Sequence, residues 1–492
     1  MKETRIDDLV RASGASLVSG SAEVRLRGVS TDTRTIQRGE FFFALCGPNF
    51  DGSRFALDAL ERGASGVLLQ DAKRLAGKVP ASAVVLDHSD PRRALQDFAR
   101  HYRGQLACPV IAITGSCGKT TTKTILMDLL GSRLSVAGSP ASFNNDIGVP
   151  LTLFRADAGT EALVVEMGTN GKGEIAALAA IARPTVGVVT TVGFSHLAGL
   201  GSIEGVAHEK ADLVRALPRE GVAVLNADNR WTADMARETD ARVVTYSLEG
   251  AGDLNARDIR FENGQTHLTL EGYEISSPLL GLHNVHNLLA ALAACQAIGL
   301  PWPEVLPAVS RLKPAQRRME QHELGGFTLI DDSYNANPES ARASVRVLRG
   351  MHGFRRRVLV LGDMLELGEL SPELHKSVGE YAAEGGIDVL LLVGELTAAT
   401  AAGALEAGFP ADRLFHVAST EEAIARAAGI FGEGDVVLVK GSRRTGLDRL
   451  VTQLVQAHKQ RQEVRARSPG CWRSCSAFRC SATSRSAPWL RR

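Results

Sequence analysis

The run Val110–Thr114 is followed by residues whose types and spacing could hold a polyphosphate. Gly115 and Gly118 would let backbone N–H groups face phosphate oxygens without a Cβ in the way, and the following helix start adds partial positive charge. Lys119 would neutralise the β- and γ-phosphates, and the Thr120 hydroxyl would bind Mg²⁺. The sequence therefore predicts a nucleotide site here; the alternative is an ordinary strand-to-helix turn with a solvated lysine.

This loop is shorter than the common phosphate-binding motif, which has a glycine five residues before Gly118, where this chain has Ile113. The shorter spacing Gly-x-x-Gly-Lys-Thr-Thr stands in its place. We expect the nucleotide to contact every residue of the loop: Thr114, Gly115, Ser116, Cys117, Gly118, Lys119, Thr120 and Thr121.

Two further polar residues accompany apolar runs that predict buried strands. Glu166 lies within Leu163–Gly168, and His196 comes just after Pro184–Gly193. In doubly wound sheets, ligands bind beyond the carboxyl ends of the strands. Glu166 and His196 are therefore expected beside the phosphates, as metal ligands.

Three more residues are candidates because of their place on predicted helices. An exposed helix lysine is the simpler interpretation of Lys210. Asn284 and Asn287 are three residues apart in the first turn of an alanine-rich helix, so they share a face and could bind the edge of an adenine. His283 and His286 of the same turn are interpreted as polar residues of the helix cap.

Length and composition limit the class of protein. At 492 residues the chain is too long for one core and predicts about three domains. A formal charge of +1 with no basic stripe argues against a nucleic-acid partner. No apolar run is long enough for a membrane span, and the first eight residues lack the apolar core of a signal peptide. We therefore expect a cytoplasmic protein with reduced cysteines.

Alternating strand and helix patterns predict an α/β fold of three domains. We expect a small α/β domain at 1–106, a central doubly wound domain at 107–313 that antiparallel strands extend around an Asn-Gly turn, and a Rossmann-like domain at 314–460. Residues 461–492 contain eight arginines and one glutamate, a local charge of +7. We predict a disordered basic tail there, outside the function.

With these residues in view, the chain resembles the Mur ligase family. The short loop Thr114–Thr122, the segment Asn144–Thr152 and Glu166-Met-Gly168 have the form that this family uses, and the resemblance covers residues 28–458. It implies an ATP-dependent ligase in which Lys119, Glu166, His196 and Lys210 are catalytic. It also implies two Mg²⁺ ions held by Thr120, Glu166, His196 and Lys210. Lys210 would carry CO₂ as a carbamate, an oxygen ligand where a bare ammonium would repel Mg²⁺.

Other motifs are typical of the branch of this family that adds D-alanyl-D-alanine to UDP-N-acetylmuramoyl-tripeptide. They are Asp331–Pro338, Gly362–Gly368 and His375, and the Asp-Asn-Pro-Arg motif of the branch that adds meso-diaminopimelate is absent from the sequence. The resemblance implies ATP contacts from Asn284, Asn287, Arg318 and Asp332. It implies that the UDP-linked substrate contacts Thr31, Asp32, Thr33, Arg34, Asn49, Asn144 and Asn145. We expect Tyr334 to contact substrate as well, and the candidates for receiving the dipeptide are Asn335, Asn337, Lys440, Ser442 and Arg443.

Some positions leave alternatives open or depart from the family pattern. From the residues alone, Arg34 after Asp32 could bind a diphosphate or simply cap a polar surface turn. Arg317 stands where a glycine is expected before Arg318, and Ala198 stands where an acid commonly follows His-Leu. We expect these two departures to affect local contacts more than the reaction.

The implied reaction is amide formation through an acyl phosphate. A peptide carboxylate takes the γ-phosphoryl group of ATP, and the amine of D-alanyl-D-alanine then displaces phosphate. We expect a monomer in which domain closure protects the acyl phosphate from water. Two alternatives are a ligase that adds glutamate to folate, which shares the loop but lacks the N-terminal domain, and a non-catalytic nucleotide-gated scaffold, which the intact candidate residues disfavour.

Overall fold

The computed structural model describes residues 1–75, 77–80, 82–262 and 264–467, with side chains up to Glu463. Three main sheets, of five, nine and six strands, organise this part of the chain. Helices pack on these sheets, which confirms the predicted three-part α/β fold. The domain boundaries at 106/107 and 313/314 stay predictions.

The N-terminal unit contains the five-stranded sheet. The strands of this unit are β1 (Thr4–Arg5), β2 (Ser16–Ser19), β3 (Arg25–Leu26), β4 (Gly28–Ser30), β5 (Glu40–Phe43), β6 (Cys46–Gly47), β7 (Phe50–Asp51), β8 (Gly66–Leu69) and β9 (Val84–Asp87). The pairs β1–β3 and β6–β7 form two small sheets of their own. The helices of the unit are α1 (Ile6–Ser13), α2 (Ala56–Glu61) and α3 (Pro91–Arg103). The sheet order is β2-β9-β8-β5-β4, with β2 antiparallel to β9 and the others parallel. Helix α3 starts where Asp90 accepts hydrogen bonds from two backbone N–H groups and Pro91 presets the first turn.

The central unit contains the nine-stranded sheet. Its strands are β10 (Val110–Thr114), β11 (Val136–Gly138), β12 (Ala162–Glu166), β13 (Val186–Val189), β14 (Val222–Asn226), β15 (Arg242–Ser247), β16 (Leu254–Glu262), β17 (Gln265–Leu270) and β18 (Tyr273–Ser277). Its helices are α4 (Lys119–Gly131), α5 (Gly148–Leu153), α6 (Glu174–Ala182), α7 (Leu197–Leu200), α8 (Ile203–Arg215), α9 (Arg230–Asp234), α10 (Leu282–Ala297) and α11 (Trp302–Val309). The sheet order is β11-β12-β10-β13-β14-β15-β16-β17-β18.

The last strands of this sheet form the predicted antiparallel extension. Strand β16 pairs in parallel with β15, and β16, β17 and β18 then pair antiparallel. Glu262 pairs with Gln265, so two residues connect β16 to β17. Asn263 of the predicted turn lies outside the described residues.

The position of β10 creates the crevice in which a ligand can bind. Strand β10 lies between β12 and β13, so the chain crosses to opposite sides of it, and all five of its residues are buried. In such sheets the crevice opens beyond the carboxyl ends of the strands, at the point where the strand order reverses. The loop that follows Thr114 therefore enters this crevice.

The C-terminal unit contains the six-stranded sheet. Its strands are β19 (Glu320–Glu323), β20 (Thr328–Asp332), β21 (Arg357–Gly362), β22 (Val389–Val393), β23 (Leu414–Val417) and β24 (Val436–Lys440), and its helices are α12 (Pro338–Gly350), α13 (Ser371–Glu384), α14 (Thr397–Glu406), α15 (Thr420–Ile430) and α16 (Asp448–Arg467). The order is β19-β20-β24-β21-β22-β23, parallel except for β19. This is the Rossmann-like arrangement that the sequence predicts.

Helix α16 corrects the predicted start of the tail. The sequence predicts disorder from residue 461, whereas the helix continues to Arg467. The reason is local, because residues 461–467 are mostly strong helix formers and the first Pro and Gly follow at 469 and 470. Residues 468–492 lie outside the described part of the chain. Within the described residues, no helix has the length and apolarity that crossing a bilayer requires.

Candidate active site

The loop after β10 has the backbone conformation that a phosphate cradle needs. Gly115 and Gly118 have φ angles of 148° and 85°, and a Cβ at Gly118 would collide with the side-chain oxygen of Asn287. Lys119 is the first residue of α4, and its Nζ donates a hydrogen bond to the Gly115 carbonyl at 2.6 Å. Burial lowers the pKa of the Lys119 amine, while the nearby Glu166 carboxylate opposes that shift. The predicted glycine loop and helix start are therefore both present.

Glu166, at the end of β12, collects three donors from neighbouring elements. Its Oε1 accepts hydrogen bonds from the Thr120 hydroxyl at 3.1 Å and from the Asn144 amide at 2.9 Å. Its Oε2 lies 3.3 Å from Nζ of Lys123, and both side chains are buried. The sequence interpretation missed Lys123, although it lies four residues after Lys119 and so on the same face of α4. A hydroxyl and a carboxylate oxygen side by side are a donor set that suits Mg²⁺.

His196 follows β13 and is held in an unusual conformation. Its φ of 53° is left-handed, a strained conformation for a residue other than glycine, and it immediately precedes α7. Its Nδ1 lies 2.7 Å from Oε2 of Glu366 in the C-terminal unit. Burial, reinforced by the Lys119 charge, lowers the pKa of the imidazole. A neutral imidazole is the form that binds metals.

Lys210 of α8 is buried, with a relative exposure of 1%, so the interpretation as an exposed helix lysine is wrong. Burial first, and then the Lys119 charge, lower the pKa of its amine to about 7. Glu209 beside it is occupied elsewhere, because its carboxylate accepts the N–H groups of Gly173 and Ile175 around the start of α6. Lys210 therefore provides a substantial neutral fraction of amine near pH 7.

The two candidate adenine-binding residues share one buried face of α10. Asn284 and Asn287 lie in its first turns, and Nδ2 of Asn287 donates to Oδ1 of Asn284 at 3.1 Å. The Thr122 hydroxyl donates to Oδ1 of Asn287 at 3.2 Å, which joins α10 to the helix of the phosphate loop. His283 and His286, interpreted as cap residues, instead lie in the wall of the cavity described below, and burial lowers the pKa of His283 to about 4.

The C-terminal unit supplies the opposite wall. Nη2 of Arg318 donates to the Thr120 hydroxyl at 3.1 Å, and its guanidinium lies 4.3 Å from the centre of the Tyr334 ring. The Tyr334 hydroxyl in turn donates to Ser142 at 2.5 Å. The Arg318 and Tyr334 side chains therefore bridge the two larger units.

Other predicted residues of this unit hold one another in place. Nζ of Lys440 lies 2.6 Å from Oδ2 of Asp332 and donates to the Asn335 carbonyl at 3.0 Å. Asn337 caps α12, and its Oδ1 lies 3.2 Å from Sγ of Cys117 in the phosphate loop. Glu339, which the sequence interpretation also missed, accepts the Phe194 N–H at 2.9 Å beside the loop that carries His196.

These elements enclose one cavity of about 470 Å³. The predicted residues that line it are Ser116, Cys117, Gly118, Lys119, Thr120, Thr121, Asn144, Asn145, Glu166, His196, Asn284, Asn287, Arg318, Asp332, Tyr334, Asn335, Asn337 and Lys440. Those outside its lining are Thr114, Gly115, Lys210, Ser442 and Arg443. Ser442 is buried and its hydroxyl accepts the Leu365 N–H at 2.9 Å, whereas Arg443 lies 6.0 Å from the Tyr334 ring centre.

The N-terminal candidate residues for the UDP-linked substrate lie outside the lining of this cavity, whereas Asn144 and Asn145 are part of it. Thr31, Asp32, Thr33 and Arg34 follow β4, and Asn49 is exposed before β7. The Arg34 guanidinium lies 2.6 Å from Oδ2 of Asp32, and this contact lowers the pKa of the Asp32 carboxyl to about 2. Arg34 is exposed, so its cationic group remains available at the surface.

Three family models match successive parts of the chain. The Mur ligase family catalytic domain matches residues 25–108, the Mur ligase middle domain matches 113–295, and the Mur ligase glutamate ligase domain matches 317–443. The chain belongs to the Mur ligase family. The family resemblance predicted from the phosphate loop, Glu166 and His196 is thereby confirmed.

Two relatives of this Mur ligase carry the same name. Proteins named UDP-N-acetylmuramoyl-tripeptide--D-alanyl-D-alanine ligase from Bacillus subtilis and Escherichia coli are 35% and 36% identical to it. Each match covers 88% of this chain and 94% of the relative. The sequence of this Mur ligase is therefore similar to such proteins over nearly their whole length.

Solved structures agree with the fold. A crystal structure of MurF from Acinetobacter baumannii is 27% identical with a TM-score of 0.83, and the match covers 93% of this chain and 99% of that one. MurF from Thermotoga maritima in complex with ADP is 27% identical with a TM-score of 0.76, covering 88% and 98%.

The two departures from the family pattern have local explanations in this Mur ligase. Arg317 adopts a φ of 58°, the left-handed conformation that glycine accepts most easily, and its guanidinium lies 2.9 Å from the Asp448 carboxylate. The Ala198 N–H donates to the Glu366 carbonyl at 3.3 Å. Glu366 thus provides a carboxylate next to His196, although position 198 has none.

Proposed function

We propose that this Mur ligase uses ATP to join D-alanyl-D-alanine to UDP-N-acetylmuramoyl-tripeptide, giving the pentapeptide precursor of peptidoglycan, ADP and phosphate. The observation that carries the proposal is the convergence of Lys119, Thr120, Glu166, His196 and Arg318 on one cavity. The names of the relatives and the ADP complex of the Thermotoga maritima neighbour support the choice of substrates and nucleotide.

In the first step, the tripeptide carboxylate attacks the γ-phosphorus of ATP. The bond between the γ-phosphorus and the β–γ bridging oxygen breaks, and ADP leaves with its electron pair. The N–H groups of the phosphate loop bind the phosphates, and Lys119 shifts from the Gly115 carbonyl to neutralise their charge. The Thr120, Glu166 and His196 side chains would hold Mg²⁺, which when bound neutralises negative charge on the phosphates. Asn284 and Asn287 would contact the adenine, with Arg318 and Asp332 closing over the nucleotide.

We also propose that Lys210 carries a carbamate. Its buried amine has a pKa near 7, so the neutral form that attacks CO₂ is well populated at neutral pH. The N–C bond forms, one proton leaves, and an anionic oxygen ligand for a second Mg²⁺ replaces a cation.

In ¹³C-bicarbonate the wild-type enzyme should show a carbamate ¹³C signal that Lys210→Ala lacks. Lys210→Ala should be inactive and partly rescued by short-chain carboxylates, and full activity without them would contradict this role.

In the second step, the neutral amine of D-alanyl-D-alanine attacks the acyl phosphate, and phosphate leaves as the amide forms. An α-amino pKa of about 8 leaves enough neutral amine in the cytoplasm, where we propose the reaction occurs. Tyr334, Asn335, Asn337 and Lys440 are the proposed dipeptide contacts within the cavity. Because they come from the C-terminal unit, docking of that unit would exclude water from the acyl phosphate.

Product analysis tests the proposed function. The enzyme is incubated with ATP, UDP-N-acetylmuramoyl-tripeptide and D-alanyl-D-alanine, and the nucleotide-linked product is identified by mass, with each substrate omitted in turn. We expect the mass of the pentapeptide product and ADP release over many turnovers that requires all three substrates. ADP release over many turnovers that does not depend on D-alanyl-D-alanine, or product formed with glutamate instead, would overturn the proposed substrates.

Lys119→Ala tests the role of the phosphate loop in the same assay. It should abolish ADP release while leaving binding of the UDP-linked substrate intact, because the charge on the β- and γ-phosphates is no longer neutralised. The matched control is Lys459→Ala, which removes an exposed lysine of α16. ADP release by Lys119→Ala at the wild-type rate would contradict the proposed site.

A further inference from the structure

Glu366 of the C-terminal unit contacts the candidate metal ligand His196 of the central unit. Oε2 of Glu366 lies 2.7 Å from Nδ1 of His196, and the Glu366 carbonyl accepts the Ala198 N–H. Both Glu366 and His196 have left-handed φ angles, 65° and 53°. Such strain persists where the surrounding structure holds a residue in one place, and it is common at functional sites. Here the two strained residues meet each other.

The segment that carries Glu366 is anchored within its own unit. The Leu365 N–H donates to the Ser442 hydroxyl at 2.9 Å, and the Met364 N–H donates to Nε2 of His375 at 3.0 Å. Nδ1 of His375 then faces the Ser371 carbonyl at 2.7 Å. These contacts explain two residues, Ser442 and His375, that do not line the cavity. They fix the backbone of the two residues that precede Glu366.

The orientation of His196 follows from this contact. Nδ1 lies 2.7 Å from the carboxylate without an aligned hydrogen bond, and a small rotation of the imidazole would make that bond, which would place the proton on Nδ1 and leave Nε2 to act as a ligand. His196 lines the cavity in which the phosphates are expected. Carboxylates that hold a ligating histidine in this way fix both its tautomer and its ring orientation.

We propose that Glu366 is a positioning residue that sets His196 for metal binding, and that it does so only while the C-terminal unit is docked on the central unit. The contact joins a residue after β21 to one after β13, so separating the two units removes the carboxylate from the imidazole. The metal site is then complete only in the docked arrangement. This proposal deepens the proposed function and rests on it for the metal-binding role of His196 and for the activity measurements.

Metal binding without turnover tests the proposal directly. Mn²⁺ is titrated by electron paramagnetic resonance into the full chain with a non-hydrolysable ATP analogue, for wild type, Glu366→Gln and Glu366→Ala. Glu366→Ala should weaken Mn²⁺ binding by about 10–100-fold, and Glu366→Gln, which keeps one oxygen acceptor, should lose less. The matched control is Glu369→Ala, an exposed acid of the same segment, which should bind Mn²⁺ as the wild type does.

The kinetic signature separates positioning from a general structural defect. Glu366→Ala should lower kcat and raise the half-saturating Mg²⁺ concentration, with KM for D-alanyl-D-alanine and the Tm close to wild type. Wild-type Mn²⁺ affinity in both Glu366 variants, or an equal loss in Glu369→Ala, would overturn the proposal. If Glu366→Ala does not fold, Glu366→Gln decides, and wild-type Mn²⁺ affinity in it would be contrary evidence. If the wild type consumes no D-alanyl-D-alanine, the proposed function fails while the Mn²⁺ result stands.

Discussion

Nζ of Lys123 lies 3.3 Å from Oε2 of Glu166, and the two side chains are only 4% and 1% exposed. Glu166 is a proposed metal ligand, so Lys123 supplies a positive charge beside a site meant for a cation. Burial lowers the pKa of Lys123, while the Glu166 carboxylate opposes the shift. The charge of Lys123 therefore compensates the charge of the buried Glu166 carboxylate whether or not a metal is bound.

Lys123→Met should destabilise the enzyme by about 3–5 kcal/mol, because it leaves the Glu166 carboxylate buried without its partner. Mg²⁺ with a non-hydrolysable ATP analogue should raise the Tm of this variant more than that of the wild type, since the metal replaces the missing charge. Thermal unfolding with and without the ligands measures both effects. The double variant Lys123→Met/Glu166→Gln should lose less stability than Lys123→Met; a larger loss would contradict this account.

The buried amine of Lys210 predicts a pH-dependent stability difference. Its pKa is about 7 in the folded protein, against about 10.4 in an unfolded chain, so the unfolded state binds more protons between these values. The unfolding free energy of the wild type, relative to Lys210→Met, should therefore rise from pH 7 to pH 10. Calorimetry of both proteins in CO₂-free buffer tests this. A difference that does not change with pH would show that the amine is not desolvated.

We expect removal of the Arg34 side chain to lower the affinity for the UDP-linked substrate without lowering the stability of the fold. Its ion pair with Asp32 is exposed, and such pairs contribute little to folding. Arg34→Ala should leave the Tm unchanged and raise KM for the UDP-linked substrate by about ten-fold, since a charged hydrogen bond to phosphate is lost. Arg11→Ala, which breaks the exposed Arg11–Asp8 pair of α1, is the control. Equal KM values in both variants would argue for a mere surface turn at Arg34.

We expect that a lysine cannot replace Arg318 in nucleotide binding. The guanidinium both donates to Thr120 and stacks on Tyr334, and a lysine ammonium has neither the fork nor the planar face. Arg318→Lys should raise KM for ATP several-fold, with little change in KM for the UDP-linked substrate. Initial rates at varied concentrations of each substrate separate the two. A wild-type KM for ATP would show that the bridge to Thr120 does not serve the nucleotide.

Features that depend on adjacent residues were predictable from the sequence, whereas contacts between segments far apart in the chain were not. The phosphate loop was predictable because its glycines, Lys119 and Thr120 are adjacent in sequence and follow an apolar run. The contact between Glu366 and His196 has no such local signal, because it depends on how two sheets dock. The roles of individual site residues stay predictions.

Helix α14, for which the sequence pattern gives little signal, illustrates a second limit. Residues 397–406 are mainly alanine, threonine and glycine, so their sequence shows little contrast between an apolar and a polar face. The structure explains the composition, since a Cβ at Gly403 would collide with the Lys376 carbonyl of α13. Small residues let α13 and α14 approach closely, and this packing is invisible in a single segment of sequence.

The close approach of Gly118 to Asn287 links two positions that the sequence keeps far apart. Any side chain at position 118 would enter the space of the Asn287 amide. A substitution at position 118 therefore requires a change at position 287. A library that varies position 118 alone should return glycine. One that varies both together asks whether a smaller residue at 287 opens an alternative solution, with a different preference for the nucleotide base.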